Sequence, residues 1–190
     1  IYSSIIKNGS CIACLYTGWG KTFASLYIAR LLKVKTLVIV NKESLLEQWS
    51  EQIIKFLGIK PGIIQGSKIN TETDVCIGMI QSISMKEYPP ELFSTFGLTI
   101  VDETHHIAAE VFVRSLFQVV TKYVIGLSAT MQRKDGLTKV FKMFIGDVVV
   151  KKERPIQDNV IVKSIASRID DLETSIQSNN EMETVAGNTN

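Results

Sequence analysis

Cysteine, histidine, net charge and long apolar runs are all scarce in this chain of 190 residues. No stretch approaches the roughly 18 consecutive apolar residues that a bilayer span needs, so no membrane partner is expected. The start carries no secretory signal pattern. A formal charge of +2 gives no argument for nucleic acid by itself, so any such binding has to come from local placement of lysine and arginine. The three cysteines, Cys11, Cys14 and Cys76, are an odd number for a disulfide framework and point to a reducing, intracellular setting, nucleus or cytoplasm. Cys11 and Cys14 form a C-x-x-C, but no second Cys/His pair has the spacing of a metal or redox site. The apolar segment CIACLY around them reads as a buried strand. No aromatic residue follows Phe144, and no internal repeat or long low-complexity run is present. The polar stretch 175–190 reads as a linker or disordered end. Ile1 in place of an initial methionine reads as the start of a piece of a longer protein.

What is present is alternation. Short apolar runs rich in β-branched residues are expected as strands at 11–16, 36–40, 62–65, 74–80, 98–103, 122–130 and 147–152. Between them, helical spacing predicts helices at 21–33, 43–58, 108–120 and 137–144. In the first of these, Phe23, Leu26, Ala29, Leu31 and Leu32 are expected mostly on one face. The residues 168–176 could add one amphipathic helix. TLVIV (36–40) has no polar alternation, as in a strand covered on both faces. Strand and helix in turn give an α/β fold, a parallel doubly wound sheet with helices on both faces and right-handed crossovers. Ligands of such sheets sit at the carboxyl ends of the strands.

Two of those ends carry chemistry. LYTGWGKT (15–22) follows an expected strand and opens an expected helix. Gly18 and Gly20 permit a tight turn whose N–H groups converge on phosphate oxygens. The start of the helix adds its positive end. Lys21 can reach the β- and γ-phosphates, and the Thr22 hydroxyl can ligate Mg²⁺. Thr17, Gly18, Trp19, Gly20, Lys21 and Thr22 are therefore candidate nucleotide-binding residues. The pattern G-x-x-x-x-G-K-T departs only at its first position, which is Leu15. LTIVDETHH (98–106) places Asp102 and Glu103 after four mostly apolar residues. There Asp102 can hold Mg²⁺ through its water shell, and Glu103 can orient and deprotonate an attacking water. Beside a phosphate loop this pair reads as a site rather than as acids that cap the next helix.

TGWGKT, VDETHH and GLSAT (126–130), in that order, resemble motifs I, II and III of a superfamily 2 helicase of the DExH type. LVIVNKESLLEQW (37–49) resembles the motif Ia region, and IGMIQS (77–82) the segment that members place on the nucleic-acid backbone. SATMQRKDGL (128–137) is similar to helicases of transcription and excision repair and of large DNA viruses. The resemblance covers roughly residues 8 to 152. It implies a RecA-like P-loop NTPase domain at 1–152, followed by a linker, 153–190, toward a second RecA-like motor domain. It also implies ATP and Mg²⁺ as cofactors and nucleic acid, DNA rather than RNA, as partner. By residue, it implies catalytic roles for Lys21, Glu103 and His105, and coupling roles for Ser128, Ala129 and Thr130. Lys42, Gln81, Ser82 and Arg133 are candidates for strand contact. Lys42 reads equally as a solvated lysine at a helix start, and Arg133 and Lys134 as a charged loop. His106 reads as a helix-start residue and Trp49 as core rather than a base-stacking platform.

The chain departs from a whole helicase in lacking the Q-x-x-G-R-x-x-R motif of a second motor domain, so alone it is expected to be a very poor ATPase. No glutamine precedes Gly20, so adenine selectivity has no basis here. The alternatives are an RNA helicase, a restriction or remodelling motor of the same superfamily, and a nucleotide-dependent binding module that does not hydrolyse. An intact Glu103 argues against the last.

Overall fold

A computed structural model describes residues 1–103, 109–129 and 138–153, all within one compact unit, Ile1–Arg154. The expected strands form with little change: β1 (Ser10–Leu15), β2 (Thr36–Val40), β3 (Gly62–Gln65), β5 (Val75–Met79), β6 (Leu98–Val101), β7 (Tyr123–Ser128) and β8 (Val148–Lys152). One more, β4 (Lys68–Ile69), is a two-residue return that pairs antiparallel with β3. The eight-stranded sheet runs β4-β3-β5-β2-β6-β7-β1-β8, and every pair other than β3–β4 is parallel. Parallel pairing sends the carboxyl ends of β1, β2, β5, β6 and β7 to one edge of the sheet. That common direction turns segments scattered along the chain into a single site. β7 lies between β6 and β1, so the acidic pair and the phosphate loop flank one strand end.

Two apolar layers cover the sheet, as the absence of polar alternation in the strands requires. Along β1 the side chains alternate: Cys11, Ala13 and Leu15 join one layer, Ile12 and Cys14 the other. On the first face pack Ile5 of α1 (Tyr2–Asn8), Leu26, Ile28 and Ala29 of α2 (Lys21–Leu32) and Leu46, Trp49 and Ile53 of α3 (Glu43–Leu57). On the second pack α4 (Ile80–Met85), α5 (Pro90–Ser94), α6 (Ala109–Gln118) and α7 (Thr138–Ile145), through Ile83, Phe93, Phe112 and Phe141. A C-x-x-C on a strand puts its two cysteines on opposite faces, because three residues is an odd number of pleats. All three thiols are free and buried. Burial pushes the Cys11 thiol up to about 11, so it sits in the core as a neutral group.

The face of α2 differs from the expected one. Phe23 and Leu31 are 53% and 42% exposed, and the sheet-facing stripe is Ser25, Leu26, Ile28 and Ala29. Phe23, Tyr27 and Leu31 recur every four residues and so share the outer face. Phe23 stacks there on Tyr27 and meets the edge of Phe56 from α3. The expected helix at 168–176 and the 153–190 linker lie outside the described residues, apart from Glu153. Among the described residues no helix is long and apolar enough to cross a membrane.

Candidate nucleotide site

The chain leaves β1 at Leu15 and turns through residues 16–20, with the Trp19 N–H donating to the Tyr16 carbonyl at 3.2 Å. Gly18 and Gly20 take φ of 92° and 95°, values that side chains with a Cβ rarely adopt. Space does not dictate glycine here, because a Cβ at either would meet nothing within 4 Å. The backbone itself is the requirement. Gly20 is the N-cap of α2, which has no side-chain cap and no acidic residue in its first turn. The leading N–H groups and positive end of this 12-residue helix therefore suit an anion from outside.

On the other side of β7, β6 ends in Asp102 and Glu103. The Asp102 N–H donates to the Ile39 carbonyl at 3.0 Å, which continues the sheet ladder one residue past β6. Glu103 then takes φ of 51°, a left-handed turn without glycine. Its N–H donates to Asp102 Oδ1 at 2.9 Å, and the indole Nε1–H of Trp49 donates to Asp102 Oδ2 at 2.8 Å. Burial is the largest influence on the Asp102 carboxyl and holds it above the usual carboxylate range. The Trp49 N–H works against that shift, the Glu103 charge adds to it, and Lys21 and the Glu103 N–H oppose it. The Lys21 ammonium reaches Glu103 Oε1 at 2.9 Å, with both side chains mostly buried. This bond joins residues 82 apart in the chain and ties the phosphate loop to the acidic pair.

Among the described residues, the remaining expected ones fall at the same edge. Ser128 is buried at the end of β7, and Ala129 follows it, half-buried. Lys42 is exposed at the N-cap of α3. Gln81 donates from Nε2 to the Asn41 carbonyl at 2.9 Å, and the Ser82 Oγ accepts the Gly66 N–H at 2.9 Å. These two strand-contact candidates thus also brace α4 against the end of β2 and the β3–β4 turn. Asn41 Oδ1 is buried without a hydrogen-bond partner among the described residues. His105, His106, Thr130, Arg133 and Lys134 lie outside the described residues. Trp49 was expected as core and is core, at 1% exposed, yet its N–H also reaches the site. The available signal was chemical: a buried indole N–H needs an acceptor.

Residues 6–133 match the family model described as Type III restriction enzyme, res subunit. The chain belongs to this family of superfamily 2 helicases. It is 39% identical over 139 residues to D10 of Escherichia phage T5, named as a helicase, covering 73% of this chain and 30% of that one. It is 34% identical over 147 residues to XPB2 of Sulfurisphaera tokodaii, named as a DNA 3'-5' translocase, covering 77% and 33%. With L396 of Acanthamoeba polyphaga mimivirus, named as an ATP-dependent RNA helicase, it shares 31% over 191 residues, covering 100% and 36%. The chain thus spans about a third of the length of these relatives. The UvsW helicase of bacteriophage T4 has the same fold, with a TM-score of 0.66 and 20% identity over 78% of this chain and 57% of that one. The expected RecA-like fold and superfamily 2 membership are therefore both borne out.

For a helicase motor domain the donor chemistry fits Mg²⁺. Thr22 and Asp102, the chain neighbours of the bonded Lys21 and Glu103, offer a hydroxyl and a carboxylate, both hard oxygen donors. Among the described residues no three His, Cys, Asp or Glu side chains gather to hold a metal. Mg²⁺ does not need such a cage, because it keeps several waters and takes its other ligands from one or two carboxylates and substrate phosphates. A divalent cation near Asp102 would also offset the burial that disfavours its charge.

Proposed function

We propose that this chain is the first motor domain of an ATP-dependent helicase or translocase that acts on nucleic acid, with DNA as its track. The observation that carries the reading is the Lys21–Glu103 bond. It brings a phosphate-binding lysine and a strand-end carboxylate to opposite sides of one strand end. In this reading Thr17, Gly18, Trp19 and Gly20 wrap the phosphates with backbone N–H groups, and Lys21 neutralises the β- and γ-phosphates. Thr22 and Asp102 would hold Mg²⁺, which when bound would supply positive charge against the leaving phosphates. Before nucleotide arrives, Lys21 and Glu103 satisfy each other. The γ-phosphate then takes the lysine, and the Glu103 carboxylate, a base placed at the end of β6, accepts a proton from the attacking water. His105, Ser128, Ala129 and Thr130 pass the nucleotide state on to movement. Lys42, Gln81, Ser82 and Arg133 meet the nucleic-acid backbone, a contact that carries no sequence preference.

Residues 1–152 are the motor domain in this scheme, and 153–190 leads to a second RecA-like domain that completes the ATP site inside the cell. The 34% identity to a DNA translocase supports DNA, and the 31% identity to a protein named as an RNA helicase makes RNA the second reading. Calorimetric titration of the chain with Mg-ATP tests the reading: binding is expected in the wild type and weakened at least about tenfold in Lys21→Ala. Wild-type-like affinity in that variant would remove the phosphate loop from the scheme. Competition between duplex DNA and duplex RNA in the full-length protein tests the track.

A further inference from the structure

We infer that Trp49 is a positioning residue: by donating its indole N–H it orients the Asp102 carboxylate toward the water shell of the divalent cation. The inference rests on the nucleotide-site reading above. Leu46, Trp49 and Ile53 form the buried stripe of α3, and an aliphatic or phenyl side chain would serve that stripe as well. An indole brings a polar N–H into a place where burying it unpaired is costly. Trp49 is 1% exposed, and its N–H crosses 53 residues of sequence to a carboxylate that is 5% exposed.

The geometry at Asp102 shows what the bond does. One donor occupies each carboxylate oxygen: the Glu103 N–H at Oδ1 and the Trp49 Nε1–H at Oδ2. Two donors on different oxygens leave the carboxylate plane little freedom to rotate. The backbone is pinned as well, through the Asp102 N–H on Ile39. Each ionised carboxylate oxygen accepts in about two directions, so one direction per oxygen remains for waters around a cation. Without the indole N–H, Oδ2 would lose its donor inside a closed site and the carboxylate could turn away. Partners that orient metal-holding groups in this way typically account for about 10- to 100-fold in metal affinity.

The test replaces Trp49 with benzothienylalanine, which keeps the fused-ring shape and removes the N–H, and in parallel makes Trp49→Phe. Binding of a fluorescent ATP analogue to the 190-residue chain is titrated with Mg²⁺ and repeated in EDTA. We expect half-saturation to need about 10- to 100-fold more Mg²⁺ in both variants, with EDTA affinity within about twofold of wild type. A benzothienylalanine chain with wild-type Mg²⁺ dependence overturns the inference, and so does a parallel loss in EDTA, which means packing alone. If the Phe variant does not fold, the isosteric one still decides. An unsubstituted chain that binds no nucleotide would sink the site reading itself, a result distinct from either of these.

Discussion

The loop after β1 and the loop after β6 face each other across β7 and handle their polar groups in opposite ways. The first is exposed, glycine-rich and uncapped, and it leaves the N–H groups at the start of α2 for a ligand. In the second, Asp102 lies in the core with both oxygens already bonded, and Glu103 adopts a left-handed backbone without glycine. In the proposed scheme the difference follows from what each would hold. A triphosphate is large and must come and go, so its cradle would stay open and be built from backbone. A hydrated cation is small and needs a fixed carboxylate, so that group would be built in and held from behind. The Lys21–Glu103 bond crosses between the two regimes, and in the proposed scheme a nucleotide would replace it.

The largest expected effect breaks the chemistry and spares both halves. Glu103→Gln preserves size while removing the proposed base. In a full-length protein that carries the proposed second motor domain it should lower turnover by about 10²–10⁴-fold. Nucleotide affinity, read by calorimetry, should hold. Wild-type turnover in this variant would mean that another group takes the proton.

Lys21→Ala attacks the bond between the halves. A charge-assisted hydrogen bond typically contributes about 1.5–3 kcal/mol, so ATP affinity should fall on the order of 10- to 150-fold. The same change strips a partner from Glu103, a largely buried carboxylate. Gly20→Ala strikes the open loop alone. A Cβ there meets nothing, so the cost is purely conformational. A left-handed L-residue costs about 1–2 kcal/mol, which predicts a melting temperature about 2–8 °C lower. An unchanged melting curve would show that the loop relaxes freely, and ATP affinity would then be the measure of the loop's shape.

Much of this architecture could be read from the sequence, for a physical reason. β2 and β6 are fully buried runs of five and four residues, and nothing but a covered strand reads that way. Helices α3 and α6 carry strong one-sided apolar spacing over 15 and 10 residues. What escaped was short. α4 and α5 have six and five residues, less than two turns, and β4 has two. Periodicity cannot be seen in so little chain. The face of α2 was misjudged because that helix carries apolar residues on two sides, and only the sheet decides which side is covered. The meeting of Lys21 with Glu103 beside Asp102 was legible because strand ends in a parallel sheet share an edge. The bond from Trp49 to Asp102 was harder to read, since spacing within α3 predicts burial and only the need of a buried indole N–H for an acceptor points beyond it.

The smallest expected effect concerns how closed the acidic half is. Burial holds the Asp102 carboxyl above its ordinary value of 3.8, in spite of the Trp49 N–H. In the window between that ordinary value and the raised folded one, the folded chain binds more protons at this position than the unfolded chain. Stability attributable to Asp102 must therefore be greatest at low pH and fall as the pH rises through the window. Other carboxylates titrate nearby, so the difference between wild type and Asp102→Ala isolates this one. The melting-temperature advantage of wild type over the alanine variant should shrink as the pH climbs out of the carboxylate range toward neutrality. Saturating Mg-ATP should oppose the trend, because a cation that prefers the ionised carboxylate lowers its folded pKa and adds stability where the charge exists. A wild-type advantage that instead grew with pH in the absence of ligand would mean that the indole and the Glu103 N–H outweigh burial. The acidic half would then be preorganised for charge before any cation arrives, and the contrast with the open loop would be sharper still.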